Sequence, residues 1–360
     1  MPAGSLLFAF LAMGIVLQAT GHDALSSYRK LIDAAFVSEG ALGQSLIAAT
    51  PLAFTGLAAA AAFRMRLFNI GGEGQLYIGA ITAAAAGLYL GGKGWPTAIV
   101  IAAMVFAGAA GGAAWASIAG VLRAFFKTSE IITSLMLNYV AAYVLTYLIF
   151  SSESYWRETE GFNATVFPTG KALPDNAVWP AATLHLQGSI ALPLGAGIAA
   201  LCAIGLWFLY SRTRFGFEVQ VLGDSPRAAH YAGIRTRRKI LAVMAISGAL
   251  AGLGGASQDG DFRHTLDADP NGLQRQYYGY AGIVVAALAR YNPFAVLVVA
   301  FLIGGLQNAG NTLQGADFPS GLVGVIQGLI LFSALGGELL VRYRVRLGRR
   351  APEAAAEATS

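Results

Sequence analysis

The chain is a succession of apolar stretches separated by short segments that carry nearly all of its charge. A spanning helix needs about 20 mainly apolar residues, because the hydrocarbon layer is about 30 Å thick and each helical residue rises about 1.5 Å. Candidate stretches fall near 4–20, 41–63, 73–91, 96–122, 128–150, 189–210, 238–257, 277–289, 293–309 and 321–341. This pattern predicts an all-α, polytopic membrane protein of about ten transmembrane helices. The first stretch is short, and Met1 to Leu6 holds no basic residue, which argues against a cleaved signal peptide. The eighth is also short and is compatible with a re-entrant element buried in protein.

Composition supports the same class. Of the 360 residues, 56% are hydrophobic and only 12% are charged, about half of the quarter that soluble domains usually carry. The 45 glycines lie inside apolar runs, where small residues let membrane helices approach closely. The single cysteine, Cys202, excludes an intramolecular disulfide and reads as an inert thiol in an apolar run.

Charge then gives an orientation. The net charge is +5, which invites a nucleic-acid reading, but cytoplasmic loops enriched in Lys and Arg account for it better. With the N-terminus inside, seventeen of the 24 basic residues fall on the inner side, from Arg64 to Arg350, and the other seven fall outside. Asp259, Asp261, Asp267 and Asp269 cluster in one outer loop. Both termini are therefore expected in the cytoplasm. Residues 1–345 make one transmembrane domain and 346–360 a cytoplasmic tail. Residues 151–188, with Trp156, Pro168, Pro174, Trp179 and Pro180, form a large external loop, and 211–239 a large cytoplasmic one.

Three polar sets stand out. Leu67 to Gln75 places Asn69, Glu73 and Gln75 among three glycines at the junction of two apolar runs. An intramembrane carboxylate is costly and usually faces a cavity or a partner. The set reads either as a broken-helix element lining a solute pathway or as a cytoplasmic turn with Glu73 at a favourable helix N-terminus. In the second set Glu130, Ser134 and Asn138 are four apart, so they share one helical face; that face meets a pore or another helix. The third set runs from Gly223 to Ile234. Ser225-Pro226 signals a helix start and Gly233 a stop, giving a short helix with Arg227, His230 and Tyr231, and with Ala228, Ala229 and Ala232 as small positions. It reads as a surface helix, with or without a docked partner. No other His or Cys is near enough to make His230 a metal ligand. Gly87 to Lys93 mimics a phosphate-binding loop, but Gly94 stands where Ser or Thr should bind magnesium.

Together these elements resemble the membrane permease subunits of bacterial ABC importers of the ribose and nucleoside branch. FNIGGEGQ at Phe68 to Gln75 is similar to that branch's FNIG-x-EGQ signature, most characteristic of the purine nucleoside type. EIITSLMLNYVA at Glu130 to Ala141 is similar as well. Gly216 to Ile234 resembles the cytoplasmic coupling segment ending in P-x-A-A-x-Y-A-G-I, and Gly279 to Pro293 resembles a later Gly-rich segment containing N-P. The likeness runs from about Thr50 to Leu340. Gln220 and His230 stand where basic residues are common.

The resemblance implies a nucleoside importer of the bacterial inner membrane, working by alternating access. It implies a cytoplasmic ABC ATPase that binds ATP and magnesium, a second related permease subunit (a heterodimer), and an extracytoplasmic solute-binding lipoprotein. No cofactor or metal is expected on this chain itself, and membrane lipid surrounds it. Asn69, Glu73, Gln75, Glu130, Ser134 and Asn138 are then the candidates for pathway or gating roles. Gly223, Pro226, Arg227, Ala228, Ala229, Tyr231 and Gly233 are the candidates for the ATPase-coupling helix. A permease for ribose or another simple sugar is the nearest alternative. An ion-coupled secondary transporter is disfavoured, because such proteins carry ionisable groups near mid-membrane, whereas Glu73 and Glu130 fall near helix ends.

Overall fold

The structure, a computed structural model, describes residues 2–19, 21–151, 153–160, 168–185, 189–273, 277–313, 324–325, 328–329 and 332–333. The chain divides into two compact units. One comprises Met1–Ala24 and Gly324–Ser360 and contains α1 (Pro2–Ala19), an apolar helix of 18 residues. The tenth expected span, 321–341, lies outside the described residues but for three helical pairs, and the tail 346–360 wholly so.

The other unit, Leu25–Val323, is built mainly from helices. After α2 (Ala24–Ile32) come α3 (Ala41–Phe63), α4 (Gly72–Gly91), α5 (Thr97–Phe126) and α6 (Glu130–Thr146). A two-stranded antiparallel hairpin, β1 (Ala181–His185) and β2 (Ser189–Pro193), precedes α7 (Leu194–Arg212). Two surface helices, α8 (Arg214–Asp224) and α9 (Pro226–Tyr231), lead into α10 (Thr236–Ser257), α11 (Tyr278–Leu288) and α12 (Pro293–Thr312).

By length and apolarity, six helices among the described residues can cross a membrane: α3, α5, Glu130–Ser151, α7, Thr236–Arg263 and α12. Of the other four expected spans, 321–341 and part of 4–20 lie outside the described residues, and the remaining two differ for physical reasons. The helix α4 has a spanning length but carries Glu73 and Gln75 in its first turn and several glycines. The eighth stretch forms a helix of only 11 residues, α11, which rises about 16 Å, roughly half the hydrocarbon thickness.

At the centre lies α10, which packs on α3, α4 and α5. Glycine makes this possible. A Cβ on Gly112 of α5 would lie 2.8 Å from the Gly252 Cα, and one on Gly108 would lie 2.8 Å from the Ala256 Cβ. Gly79 of α4 meets the Gly252 backbone as closely, and Gly255 meets the Leu76 carbonyl. Such backbone proximity gives dispersion and weak hydrogen bonding where the surrounding lipid supplies no hydrophobic drive. On α3 nearly every position from Ala49 to Ala62 is buried, whereas α5, α6 and α7 each bury a narrow stripe.

Three expectations need correction. The segment 189–193 is a strand rather than the start of a span: Pro193 precedes α7 in an extended conformation (ψ 145°). Asp259 and Asp261 do not sit in a solvated loop, because α10 continues as a π-helix, Gln258–Arg263, that buries Asp259. The described part of the long loop 151–188 is not free of the bundle either. Leu173, Ala177 and Trp179 join a core with Ala83, Val100, Met104 and Ala256, and Ala172 pairs with Thr265. Cys202 is partly buried in α7.

Replacing Gly252 by Leu is expected to force α10 from α4 and α5 at a cost of about 1–3 kcal/mol or more. The thermal midpoint of the purified protein in detergent checks this: the variant should unfold earlier or fail to elute as a single species.

Candidate functional site

The segment between α3 and α4 leaves helical geometry at Arg66, whose φ is 57°, and runs without regular structure to Gly71. Its backbone and side chains are caught in a buried polar knot. Asn69 Nδ2 donates to Gln75 Oε1 at 3.0 Å and to Ser247 Oγ at 2.8 Å. Asn69 Oδ1 accepts from Gly71 N at 3.0 Å and from Gln75 Nε2 at 2.9 Å. Ser247 in turn donates to the Ala58 carbonyl at 2.7 Å. Four elements therefore meet on two carboxamides, α3, the linker, α4 and α10.

From the other side α6 closes the knot. Ser129 caps its first turn, accepting from Ile132 N at 3.5 Å. Four-residue spacing then brings Ser134 and Asn138 to its buried face. Ser134 Oγ accepts from Ile70 N at 3.2 Å. Asn138 Oδ1 accepts from Gly74 N at 2.8 Å, while its Nδ2 donates to the Ile70 carbonyl at 2.9 Å and to Tyr280 Oη at 3.1 Å.

Glu73, 1% exposed, holds α11. Its Oε1 accepts from Tyr77 Oη at 2.5 Å and its Oε2 from Gly279 N at 2.5 Å, and the Tyr280 backbone also reaches it. The first turn of α11 has no side-chain cap of its own, so a carboxylate from another helix fills that role for its orphan N–H groups. The approach needs glycine, since a Cβ on Gly279 would run into the Glu73 backbone.

Five of the six pathway candidates thus converge: Asn69, Glu73, Gln75, Ser134 and Asn138. Glu130 stands apart. It pairs with Arg123 at 3.2 Å, across the turn at Lys127 that ends α5. Asn69 and Asn138 each place both side-chain N–H groups on protein acceptors, whereas Gln75 Nε2 makes one such bond, to Asn69.

A small cavity of about 50 Å³ lies between α3, the end of α10, α11 and α12, and the sequence reading passed over it. Gln44, Gln258, Asn308, Asn311 and Tyr278 supply its polar wall. Gln258 is 5% exposed, and its side chain has no hydrogen-bond partner among the described residues. The signals were present: Gln44, Ile47, Ala48 and Pro51 follow helical spacing, and Asn308 and Asn311 interrupt an apolar run.

In the loop 211–239 the expected short helix is α9, and α8 precedes it. Ser225 accepts from Ala228 N at 3.4 Å with Pro226 in the first turn, and Gly233 takes the left-handed conformation that follows (φ 72°). Arg227, Ala228 and Tyr231 are exposed, Tyr231 at 90%. Ala229 is fully buried, and Gly223 lies against the Arg64 carbonyl, where a Cβ would come to 2.7 Å. The coupling candidates therefore split into an outward face and two inward anchors. Glu218 ties α8 to α10 through Lys239 at 2.5 Å and meets Arg214 at 3.1 Å. Beside them runs a basic groove of about 600 Å³ that includes Arg235 and Arg238. Among the described residues no group of three or more His, Cys, Asp or Glu is placed to hold a metal.

Six apolar helices long enough to span, packed through glycine around a buried polar knot, define a multi-pass membrane protein. The chain belongs to the family of branched-chain amino acid transport system / permease components, whose model matches residues 41–335. Among its relatives, the nucleoside ABC transporter permease protein NupB of Lactococcus lactis subsp. cremoris is 30% identical over 92% of this chain and 89% of its own. The guanosine ABC transporter permease protein NupP of Bacillus subtilis is 30% identical over 92% of this chain and 91% of its own. The glucose ABC transporter permease protein TsgB13 of Haloferax volcanii is 30% identical over 99% of this chain and 93% of its own.

Glu73→Ala would remove the acceptor of the buried Gly279 N–H, at a cost on the order of 1–3 kcal/mol; a drop in thermal midpoint checks it. A pH effect is expected at α8. The Lys239 bond, with Arg214 nearby, holds the Glu218 carboxyl below its ordinary 4.5. A depressed folded value means that the link is fully present above about 4.5 and is lost as pH falls below it. The protection factors of amides in 214–239, corrected for the intrinsic pH dependence of exchange, should therefore fall at acid pH in the native protein but not in Glu218→Gln.

Proposed function

We propose that the chain is one of two permease subunits that form the channel of an ABC importer for nucleosides in a bacterial inner membrane, with both termini cytoplasmic. The likeness to two nucleoside permeases along more than nine-tenths of the chain carries this reading. The chemistry of the interior agrees with it. A neutral nucleoside calls for hydrogen-bonding groups rather than counter-charges, and both the knot and the cavity are built largely from carboxamides. Because the knot's groups are engaged with one another, their role in this reading is gating: the pathway opens when the contacts of Asn138 and Glu73 to Ile70, Gly74 and α11 rearrange.

The outward face of α9, with Arg227 and Tyr231, is read as the handle for a cytoplasmic ATPase that binds ATP and magnesium. A second, related permease chain completes the channel, and an extracytoplasmic lipoprotein delivers the solute. A glucose permease of equal identity supports a second reading, a simple-sugar importer, for which the amide-lined cavity is equally suited.

With partner subunits in proteoliposomes, guanosine uptake should require ATP and survive collapse of the proton gradient; dependence on the gradient instead would mean an ion-coupled transporter. Arg227→Ala with Tyr231→Ala should lower uptake about tenfold or more, the scale of losing an interface anchor, with membrane insertion unchanged. Full uptake with the ATPase still co-purifying would overturn the coupling role. Labelling of His230→Cys only from the cytoplasmic side checks the orientation.

A further inference from the structure

The exposed aromatic side chains on the outer faces of α5, α7 and α12 are Phe106, Phe125, Phe126, Trp207, Phe208 and Phe294. On α6 they are tyrosines, Tyr139 and Tyr143, four residues apart, and Tyr147 follows in the π-helical turn that continues it. That difference is chemical. A phenylalanine face suits hydrocarbon, whereas a phenol needs a hydrogen-bond partner that hydrocarbon does not offer.

Depth sharpens the point. Glu130–Ser151 is a span of 22 residues; Tyr139 lies about 14 Å and Tyr143 about 20 Å along it from Glu130. These positions fall in the middle third of the span's length, away from its ends, where tyrosine commonly meets lipid headgroups. Tyr139 and Tyr143 are 43% and 61% exposed, and their hydroxyls have no hydrogen-bond partner among the described residues. Tyr139 is near enough to Tyr280 of α11 to interact with it electrostatically. The Tyr277 and Tyr280 rings are 6.1 Å apart, and Tyr280 Oη accepts from Asn138, the residue adjacent to Tyr139. Tyr143 faces the backbone of Gly272, where a Cβ would come to 3.4 Å from the ring. The tyrosine surface is thus continuous with the polar knot through the Asn138–Tyr280 bond.

We propose that Tyr139 and Tyr143 of α6, with Tyr277 and Tyr280, form a stacking surface on the solute pathway that takes the planar base of a nucleoside. This rests on the nucleoside-importer reading above. Aromatic rings favour offset or edge-on partners with centroids 4.5–7 Å apart, and stacking accepts any base because every base has a π-face. The surface would therefore separate nucleosides from simple sugars without selecting among bases. The phenol hydroxyls keep it wetted when no solute is present.

The test uses the complete transporter, with its ATPase, second permease and binding protein, in proteoliposomes. ATP-driven uptake of radiolabelled guanosine is measured for the native protein and for Tyr139→Leu, Tyr143→Leu, the double Leu variant and the matching Phe variants. Assembly is checked by size exclusion and thermal midpoint. The expected result is a loss of about tenfold or more in kcat/KM for the double Leu variant, on the scale of one stacked base, and a much smaller loss for Phe, which keeps the ring. Uptake in the Leu variants equal to native would overturn the proposal and assign this face to lipid. Loss of the second permease from the purified Leu variants would overturn it in favour of a subunit interface. Phe variants as impaired as Leu would overturn it in favour of a hydroxyl contact. Native transporter that takes up glucose but no guanosine would remove the nucleoside reading itself, an outcome seen before any variant is made.

Discussion

The carboxylate of Glu73 is the contact on which the rest of the interior depends. It sits inside the bundle, where an uncompensated charge or an unpaired acid would be costly, and donors surround it: the Tyr77 hydroxyl and the first N–H groups of α11. The bond works in both directions. It satisfies the carboxylate and it caps a short helix that lacks a cap of its own. Thr55 fixes the same turn from α3, donating to the Tyr278 carbonyl at 2.9 Å. Without this double fastening an 11-residue helix that cannot span would have no reason to start where it does.

Local signals in the sequence carried what local physics decides. The bounds of α3 follow the apolar run from Ala41 to Phe63. Ser225-Pro226 and Gly233 mark α9 through capping and backbone preference alone. Spacing by four put Ser134 and Asn138 on one face, and that face is the one that meets the linker between α3 and α4. What escaped the sequence depends on partners far along the chain. Glu73 and Gly279 are 206 residues apart, so nothing near Glu73 announces which helix it caps. Glu130 shares the spacing of Ser134 and Asn138, but the nearby Arg123 decides its role. The cavity takes polar groups from four helices, each of which shows only one or two amides. The π-turn at Gln258–Arg263 reads as loop because its aspartates look solvated until Trp179 and the returning chain are seen to cover Gly260.

A mechanical route follows from the same contacts. Gly223 and Asp224, at the end of α8, meet the end of α3 through the Arg64 carbonyl and through Arg66, 3.7 Å from Asp224. Arg66 is followed within a few residues by Asn69 and Ile70, which the knot grips. A chain of contacts therefore links α9, through α8 and the α3–α4 linker, to α4, α6 and α11. In the importer reading proposed above, contiguity of this kind is what joins a surface helix to a buried gate.

The three polar features share one chemical character, and that constrains what passes. Carboxamides dominate the knot and the cavity, and phenols the face of α6. The one carboxylate of the knot is occupied by the Tyr77 hydroxyl and the start of α11. A charged solute moving past these groups would meet dipoles but no counter-ion, at a depth where water is too scarce to replace one. A neutral solute with hydroxyls and a flat ring meets partners at each step. Selection by the absence of charge is coarse, and in the importer reading proposed above it suits a channel whose solute arrives already chosen by another protein.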